Sequence, residues 1–304
     1  MNTTKILICG IGAIGGYYAH IFEDSKYTEL KVLTDEQRLN RYIKNPRVIN
    51  GVTYNFNYIL PTENNFTADL IIIATKSSGL EDAINNIKNF VGENTIILSF
   101  LNGISSEEKI KKAYGDKVLY SYLLGHTFFR KGNTISHDGQ ANVIFGSTYE
   151  NDTRVEKIKN LFKKTKISYV ISNNIKLSLW EKFCFNCCVN QLSAITKMTF
   201  GEIKNSPKCI NIMKKICEEI TIIGEKEGVH SDFYKSALKS LDRMIPDGKT
   251  SMLQDIESNT IPETDIFSKT VIELGEKHNI DTPYNRIISE IIDCIADKIN
   301  ASNQ

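Results

Sequence analysis

The chain has 304 residues, 41% hydrophobic and 24% charged, and 37 lysines and arginines against 36 acidic residues leave a net charge of +1. That length suits two domains, and so even a charge balance provides no footprint for nucleic acid or an anionic membrane. The longest aliphatic run, Leu70 to Ile73, is far short of the roughly 20 apolar residues a membrane span needs; with no cleavage site ahead of the first strand pattern, a cytoplasmic protein is the expectation.

Lys5 to Cys9 reads as a short apolar strand running into Gly10-Ile11-Gly12-Ala13-Ile14-Gly15, with a helix from about Ala13 to Glu23. This is GxGxxG between a strand and a helix. The first glycine permits the tight turn, the second lets a pyrophosphate reach the backbone, and the third lets the helix pack on the strand. Unpaired amides at the helix start then face the phosphates.

A second strand spans Leu30 to Thr34. NAD enzymes usually end this strand with an acidic residue that holds the ribose hydroxyls. Thr34 stands there instead, and Asp35 reads as the N-cap of the next helix. Arg38 and Arg41 follow within about a turn, either as partners of a 2′-phosphate or as a solvated helix face. The reading leans to NADP(H), and Asp35 and Glu36 keep NAD open.

Val52 to Leu60 has strand-like composition. Asp69 to Ala74 is apolar throughout, as expected of a parallel strand buried on both faces. Lys76 follows at its carboxyl end, before a helix from about Gly79 to Phe90. The next strand, Thr95 to Phe100, ends at Asn102-Gly103 on the same edge of the sheet. Ligands of open α/β sheets sit outside that edge. Taken alone, Lys76 is a loop lysine and Asn102 part of a turn. A helix at Ser105–Ala113 and strands near Val118–Leu124, Thr134–Ser136 and Asn142–Phe145 come next, the last two as candidate antiparallel additions to the sheet. A helix at Thr153–Lys164 and a strand at Ile167–Val170 complete the first domain, which is expected to cover residues 1–172. The second, 173–304, is helical throughout.

Lys176 to Thr196 reads as one long helix. At about 100° per residue, Asn186 and Asn190 fall about 40° and 80° from Lys182, so the three make a narrow polar stripe. The remaining circumference is apolar, the mark of a buried helix. A buried ammonium and two amides are costly unless satisfied. Either the amides cap loops and Lys182 reaches solvent, or the stripe faces a small oxygen-rich ligand with Lys182 as proton donor. Later helices are expected at Pro207–Glu227, about Ser231–Met244, a short one after Ser251, Pro262–His278 and Pro283–Ile299, with a frayed tail from Asn300. Ser206 before Pro207, Thr282 before Pro283, and capping-box spacing from Thr260 to Glu263 mark helix starts. The box alone would account for Glu263.

The 7 cysteines, Cys9, Cys184, Cys187, Cys188, Cys209, Cys217 and Cys294, fall mostly in apolar patterns, which suits buried thiols in a reducing compartment. Cys184-Phe-Asn-Cys187 has the spacing of half a metal site. With no second pair or nearby histidine, no metal is expected.

On these residues the chain resembles the ketopantoate reductase family, NADPH-dependent 2-dehydropantoate 2-reductases, over essentially its whole length. The resemblance rests on GIGAIG at Gly10, Thr75-Lys76, Asn102-Gly103, LWEKFCFNCCVNQLSAI from Leu179, SMLQDI from Ser251 and PETD from Pro262. It implies a Rossmann-type doubly wound sheet followed by an all-α domain, as in 6-phosphogluconate-dehydrogenase-like enzymes. It implies Lys182 as general acid and Asn102, Asn186, Asn190, Ser251 and Glu263 as substrate-binding residues, with a 2-oxo acid as substrate. Gly10 to Gly15, Thr34, Arg38, Lys76, Asn102 and Glu263 are the implied cofactor contacts. Two departures stand out: an asparagine of some members is Phe200 here, and the arginine that often ends the second strand is Thr34. The first leaves room for a paralogue acting on another branched 2-oxo acid. A dinucleotide-binding sensor without catalysis would not need Lys182. Monomer and homodimer are both compatible with the sequence.

Overall fold

The computed structural model describes residues 3–125 and 128–302. The chain divides into two compact units, Met1–Leu101 with Ser106–Ile175, and Asn102–Ser105 with Lys176–Gln304. The expected two-part division did not foresee that four residues of the first half, Asn102–Ser105, group with the second.

The first unit starts with β1 (Thr4–Cys9), α1 (Ala13–Glu23), β2 (Thr28–Leu33), α2 (Glu36–Lys44), β3 (Arg47–Ile49), β4 (Val52–Tyr54), β5 (Tyr58–Ile59), β6 (Ala68–Ile73), α3 (Leu80–Asn86) and β7 (Val91–Ser99). It continues through α4 (Ser106–Tyr114), β8 (Val118–Leu124), β9 (Phe128–Lys131), β10 (Thr134–His137), β11 (Asn142–Gly146), α5 (Thr153–Thr165) and β12 (Tyr169–Ile171).

Eight strands form the main sheet in the order β12-β11-β8-β7-β6-β1-β2-β5. All pairs are parallel except β8 with β11. Alternate residues of the central strands feed two cores. Ile6, Ile8, Leu70, Ile72, Ile96 and Leu98 face one, and Leu7, Cys9, Ile71, Ile73 and Ile97 face the other. Burial on both faces is why these strands read as unbroken apolar runs. Between β1 and its neighbours β2 and β6 the strand order reverses, and the loop after β1 opens at that switch point.

Of the two expected antiparallel additions, only β11 joins the main sheet. β10 instead belongs to a second sheet, β4-β3-β10-β9. Its one fully buried residue, Ile135, lies so close to Gly16 that a side chain on Gly16 would run into it, and Phe128 of β9 packs its ring 4.7 Å from Tyr17. Those contacts cover α1, so the small sheet buries its apolar face on a helix. The helix expected from Gly79 to Phe90 is α-helical only over α3, between two 3₁₀ turns, Ser77–Gly79 and Lys88–Phe90.

α6 (Ile175–Phe185) leads into the second unit. A π-helical turn, Asn186–Asn190, follows, then α7 (Gln191–Thr196), α8 (Phe200–Asn205), α9 (Pro207–Lys226), α10 (Phe233–Leu241), α11 (Ser251–Glu257), α12 (Ser268–His278) and α13 (Pro283–Ser302). Three expectations change here. The single helix from Lys176 to Thr196 is interrupted by the π turn. The helix expected from Pro262 starts only at Ser268, because Thr260 is used to close α11: its amide donates to Asp255 O at 2.8 Å, after Asn259 in the left-handed region at φ 53°. Thr260 thus does not open the helix expected from Pro262; a capping box is formed by Thr199 with Glu202, at the start of α8. Finally, Asn300 to Ser302 are helical, while Asn303 and Gln304 lie outside the described residues.

Candidate active site

In the first unit the glycine loop has the geometry its spacing implies. Gly10 sits at φ 94°, and a Cβ there would come within 2.8 Å of Ala74 O. A Cβ on Gly15 would overlap the Gly10 carbonyl, so the helix can approach the strand only without one. Gly12 is different: nothing lies within 4 Å of its would-be Cβ. Gly12 is also the N-cap of α1, where no side chain caps the helix and no acidic residue occupies the first turn. The amide dipoles at this end are thus left for an anion from outside the chain. Ile11 is buried, and Ala13 and Ile14 begin the helix half-buried.

Thr34 is buried just past β2. Asp35 caps α2 as expected, accepting from the Arg38 amide at 2.6 Å, and its other oxygen lies 3.2 Å from the Arg38 guanidinium. Arg38 is exposed, yet its charge reaches the end of β1. Burial pushes the Cys9 thiol up to about 12, and Arg38 pulls against that rise. Lys76 is exposed at the carboxyl end of β6, where its carbonyl accepts from the Gly79 amide at 3.0 Å and starts a 3₁₀ turn.

In the second unit, Lys182 is half-buried in the last turn of α6 and donates from Nζ to Asn102 Oδ1 at 2.9 Å. Asn102 is presented by the Asn-Gly turn. Gly103 holds φ 88°, and a Cβ there would crowd Ile266 at 3.1 Å. Asn186 and Asn190 are 7% and 6% exposed. Asn190 Nδ2 lies 3.5 Å from Ser251 Oγ, an exposed hydroxyl at the start of α11, which Thr250 caps. Glu263 is half-buried in the irregular segment before α12, three residues from the Ile266 that packs on Gly103. The structure thus joins Lys182 to Asn102 and Asn190 to Ser251. Phe200 opens α8, with its ring 6.4 Å from that of Phe185.

The π turn reshapes the stripe. An i→i+5 turn holds more residues than an α turn, so each residue rotates less. On an α-helix a polar residue at every fourth position drifts by about 40° each time; the smaller rotation across Asn186–Asn190 works against that drift. A side chain takes up a carbonyl at the turn. In α-helical bonding the Cys187 carbonyl would receive the Gln191 amide. Here it accepts from the Gln191 side chain, Nε2 to O at 2.7 Å. The same nitrogen donates to Ser268 Oγ at 2.6 Å, Ser268 to Asn285 Oδ1 at 3.1 Å, and Asn285 Nδ2 to Glu219 Oε2 at 2.7 Å. Glu219 also accepts the amides of Tyr284 and Asn285, at 2.7 and 3.0 Å, and so caps α13. The expected cap, Thr282, is buried with its hydroxyl unpartnered. Gln191, Ser268 and Asn285 are fully buried. Sequence reading missed all four members of this chain. The one available sign was Gln191 itself, a carboxamide on the apolar side of a buried helix.

A chain with an open glycine loop at the switch point of a doubly wound sheet, and a lysine–asparagine pair on a separate helical unit, has the parts of a dinucleotide-dependent oxidoreductase. Comparison with known proteins agrees. Residues 6–150 match the family model described as "Ketopantoate reductase PanE/ApbA", and residues 174–296 match "Ketopantoate reductase PanE/ApbA C terminal". A 2-dehydropantoate 2-reductase of Streptococcus pyogenes serotype M18 is 27% identical over 302 residues, covering 94% of this chain and 96% of the relative. Among solved structures, D-mandelate dehydrogenase with NADH and anilino(oxo)acetate superposes with a TM-score of 0.85 at 22% identity, over 98% of this chain and 99% of that one. A dimeric ketopantoate reductase from Staphylococcus aureus superposes at 0.75 and 19% identity, over 97% and 99%. The chain belongs to the ketopantoate reductase family.

Proposed function

We propose that this protein reduces 2-dehydropantoate to (R)-pantoate with NADPH, a reductive step of pantothenate and coenzyme A biosynthesis. The observation that carries the reading is the Lys182–Asn102 hydrogen bond, which sets an ammonium beside the Asn102 carboxamide, one turn before the buried Asn186 and Asn190. Gly10 to Gly15, with the uncapped start of α1, would hold the pyrophosphate, and Arg38 the 2′-phosphate, with Thr34 and Lys76 at the same edge of the sheet. Asn102 and Glu263 are proposed to contact cofactor as well as substrate. The bound nicotinamide supplies the hydride.

Negative charge develops on the 2-oxo oxygen as the carbonyl is reduced. Lys182 stabilises that charge and donates its Nζ proton to the oxygen. General-acid catalysis of this kind contributes about 10²–10⁴-fold. Asn186, Asn190 and Ser251 bind the carboxylate and hydroxyl oxygens without adding charge. Asn102 holds the ammonium in place, and Glu263 accepts from the terminal hydroxyl of the substrate. The free thiols fit a reducing, cytoplasmic setting. Among the described residues no helix is long and apolar enough to cross a membrane. Homodimerisation, as in the S. aureus relative, is the proposed assembly.

A second reading, reduction of another branched 2-oxo acid, rests on Phe200, whose ring beside Phe185 replaces a carboxamide of some family members. One assay separates the two: NADPH and NADH oxidation by the purified protein with 2-dehydropantoate and a panel of branched 2-oxo acids. Fast turnover of 2-dehydropantoate with NADPH is the expected result. Turnover only with another acid would move the assignment to the second reading, and faster reaction with NADH would remove Arg38 from its role.

A further inference from the structure

Cys184 and Cys188 lie four residues apart where α6 passes into the π turn, and Cys217 meets them from α9. Their sulfur atoms all lie within 4.8 Å of one another, and all three residues are buried. Cys187, which gave the sequence its CxxC spacing, is not part of the cluster. The Cys184 thiol donates to the Cys217 sulfur at 3.3 Å. Burial pushes the thiols of Cys184 and Cys188 well above the usual range.

Three sulfurs bound to one centre at about 2.3 Å stand about 4 Å apart, close to the spacing here. Soft donors select a soft ion. Among the described residues no histidine or carboxylate joins the cluster, so a fourth ligand is not provided. Charge then decides which ion fits. Three thiolates around a monovalent or divalent ion leave two or one uncompensated negative charges in a buried site, a costly arrangement. A trivalent ion with three thiolates is neutral.

We infer that Cys184, Cys188 and Cys217 form a three-sulfur site for a trivalent thiophilic metalloid, with As(III) as the ion that fits. Arsenous acid would react with three thiols: three S–H and three As–O bonds break, three As–S bonds form, and three waters leave. Arsenic stays As(III), and no electrons are exchanged. Because the thiols are buried, uptake follows transient opening of the α6–α9 contact and is slow. Occupancy ties the π turn to α9, two residues from Lys182 along α6.

The test is to incubate the reduced full-length protein with arsenite, desalt it, and record the native mass and the ultraviolet sulfur-to-arsenic absorption. The expected result is one arsenic per chain with loss of three hydrogens. Cys217→Ser and Cys188→Ala should each abolish that adduct, and Cys294→Ser, which changes the exposed cysteine, should retain it. Circular dichroism checks that the variants fold; if Cys217→Ser does not, Cys188→Ala decides. No arsenic uptake, or equal uptake by a folded Cys217→Ser or Cys188→Ala protein, overturns the site. Retention of cadmium without arsenic would overturn the charge argument that selects the ion.

Discussion

The glycine loop of the first unit and the polar segment of the second are built on opposite principles. The loop offers backbone: no side chain caps the helix at Gly12, and the close approaches at Gly10 and Gly15 need the absence of side chains. The segment offers side chains, and their direction depends on a turn held by residues from three other helices. A backbone site carries its specification within a few consecutive residues. A side-chain site carries only its reactive groups locally, and the support that aims them is spread through the chain.

Five substitutions probe this contrast. The largest effect is expected for Lys182→Ala, which should lower turnover by about 10²–10⁴-fold and leave dinucleotide affinity unchanged; equal turnover in steady-state kinetics would remove Lys182 from the chemistry. The loop should fail by another route. Gly15→Ala forces a methyl group into the Gly10 carbonyl and should cost about 3 kcal/mol or more in denaturant unfolding. Gly12→Ala meets no atom of the chain, so it should change stability by about 1 kcal/mol at most while weakening dinucleotide binding in a fluorescence titration. If both glycine variants behaved alike, the distinction between a packing glycine and a ligand-facing one would be lost.

Glu107 tests the first unit away from the loop. It is 1% exposed, accepts from Ser106 Oγ at 2.7 Å, and lies 3.4 Å from the Ser121 amide. Burial pushes its carboxyl from 4.5 up to about 7. Between those values the unfolded chain has released the proton and the folded chain still holds it. Its contribution to stability is therefore fully present below pH 4.5 and is lost as pH rises to 7, on the order of 3 kcal/mol in all. Glu107→Gln should remove that slope, as urea unfolding at pH 5 and pH 8 would show. The last substitution, Gln191→Leu, returns to the second unit. It leaves the Cys187 carbonyl and Ser268 without their donor and should cost about 1–3 kcal/mol. If the π turn aims the asparagines, this variant should also raise KM for the 2-oxo acid without altering cofactor affinity. A pure stability loss would reduce Gln191 to a packing role.

The same contrast explains what could be read in advance. The doubly wound sheet, its buried central strands, the tight turn at Gly10 and the close packing at Gly15 follow from local spacing, and all appear as expected. So does the Asp35 cap. The failures share a cause in distant partners. Glu263 looked like half of a capping box until Thr260 proved committed to α11. Thr282 looked like the cap of α13, a task that Glu219 performs from 65 residues away. β10 carried the pattern of a main-sheet strand, but its apolar face is buried against α1. The stripe of Lys182, Asn186 and Asn190 was visible because it is periodic. The π turn was not, because it depends on where one Gln191 nitrogen finds its acceptors.

The four residues Asn102 to Ser105 carry a consequence for how this gene could be recombined. They are encoded with the first unit but grouped with the second, and Asn102 holds Lys182 across 80 positions of sequence. A chimera that joined the N-terminal half of one relative to the C-terminal half of another would separate a lysine from the asparagine matched to it, even at a junction placed cleanly near residue 175. A junction ahead of Asn102 would keep the pair together, whereas any single crossover between Asn102 and Lys182 would split it.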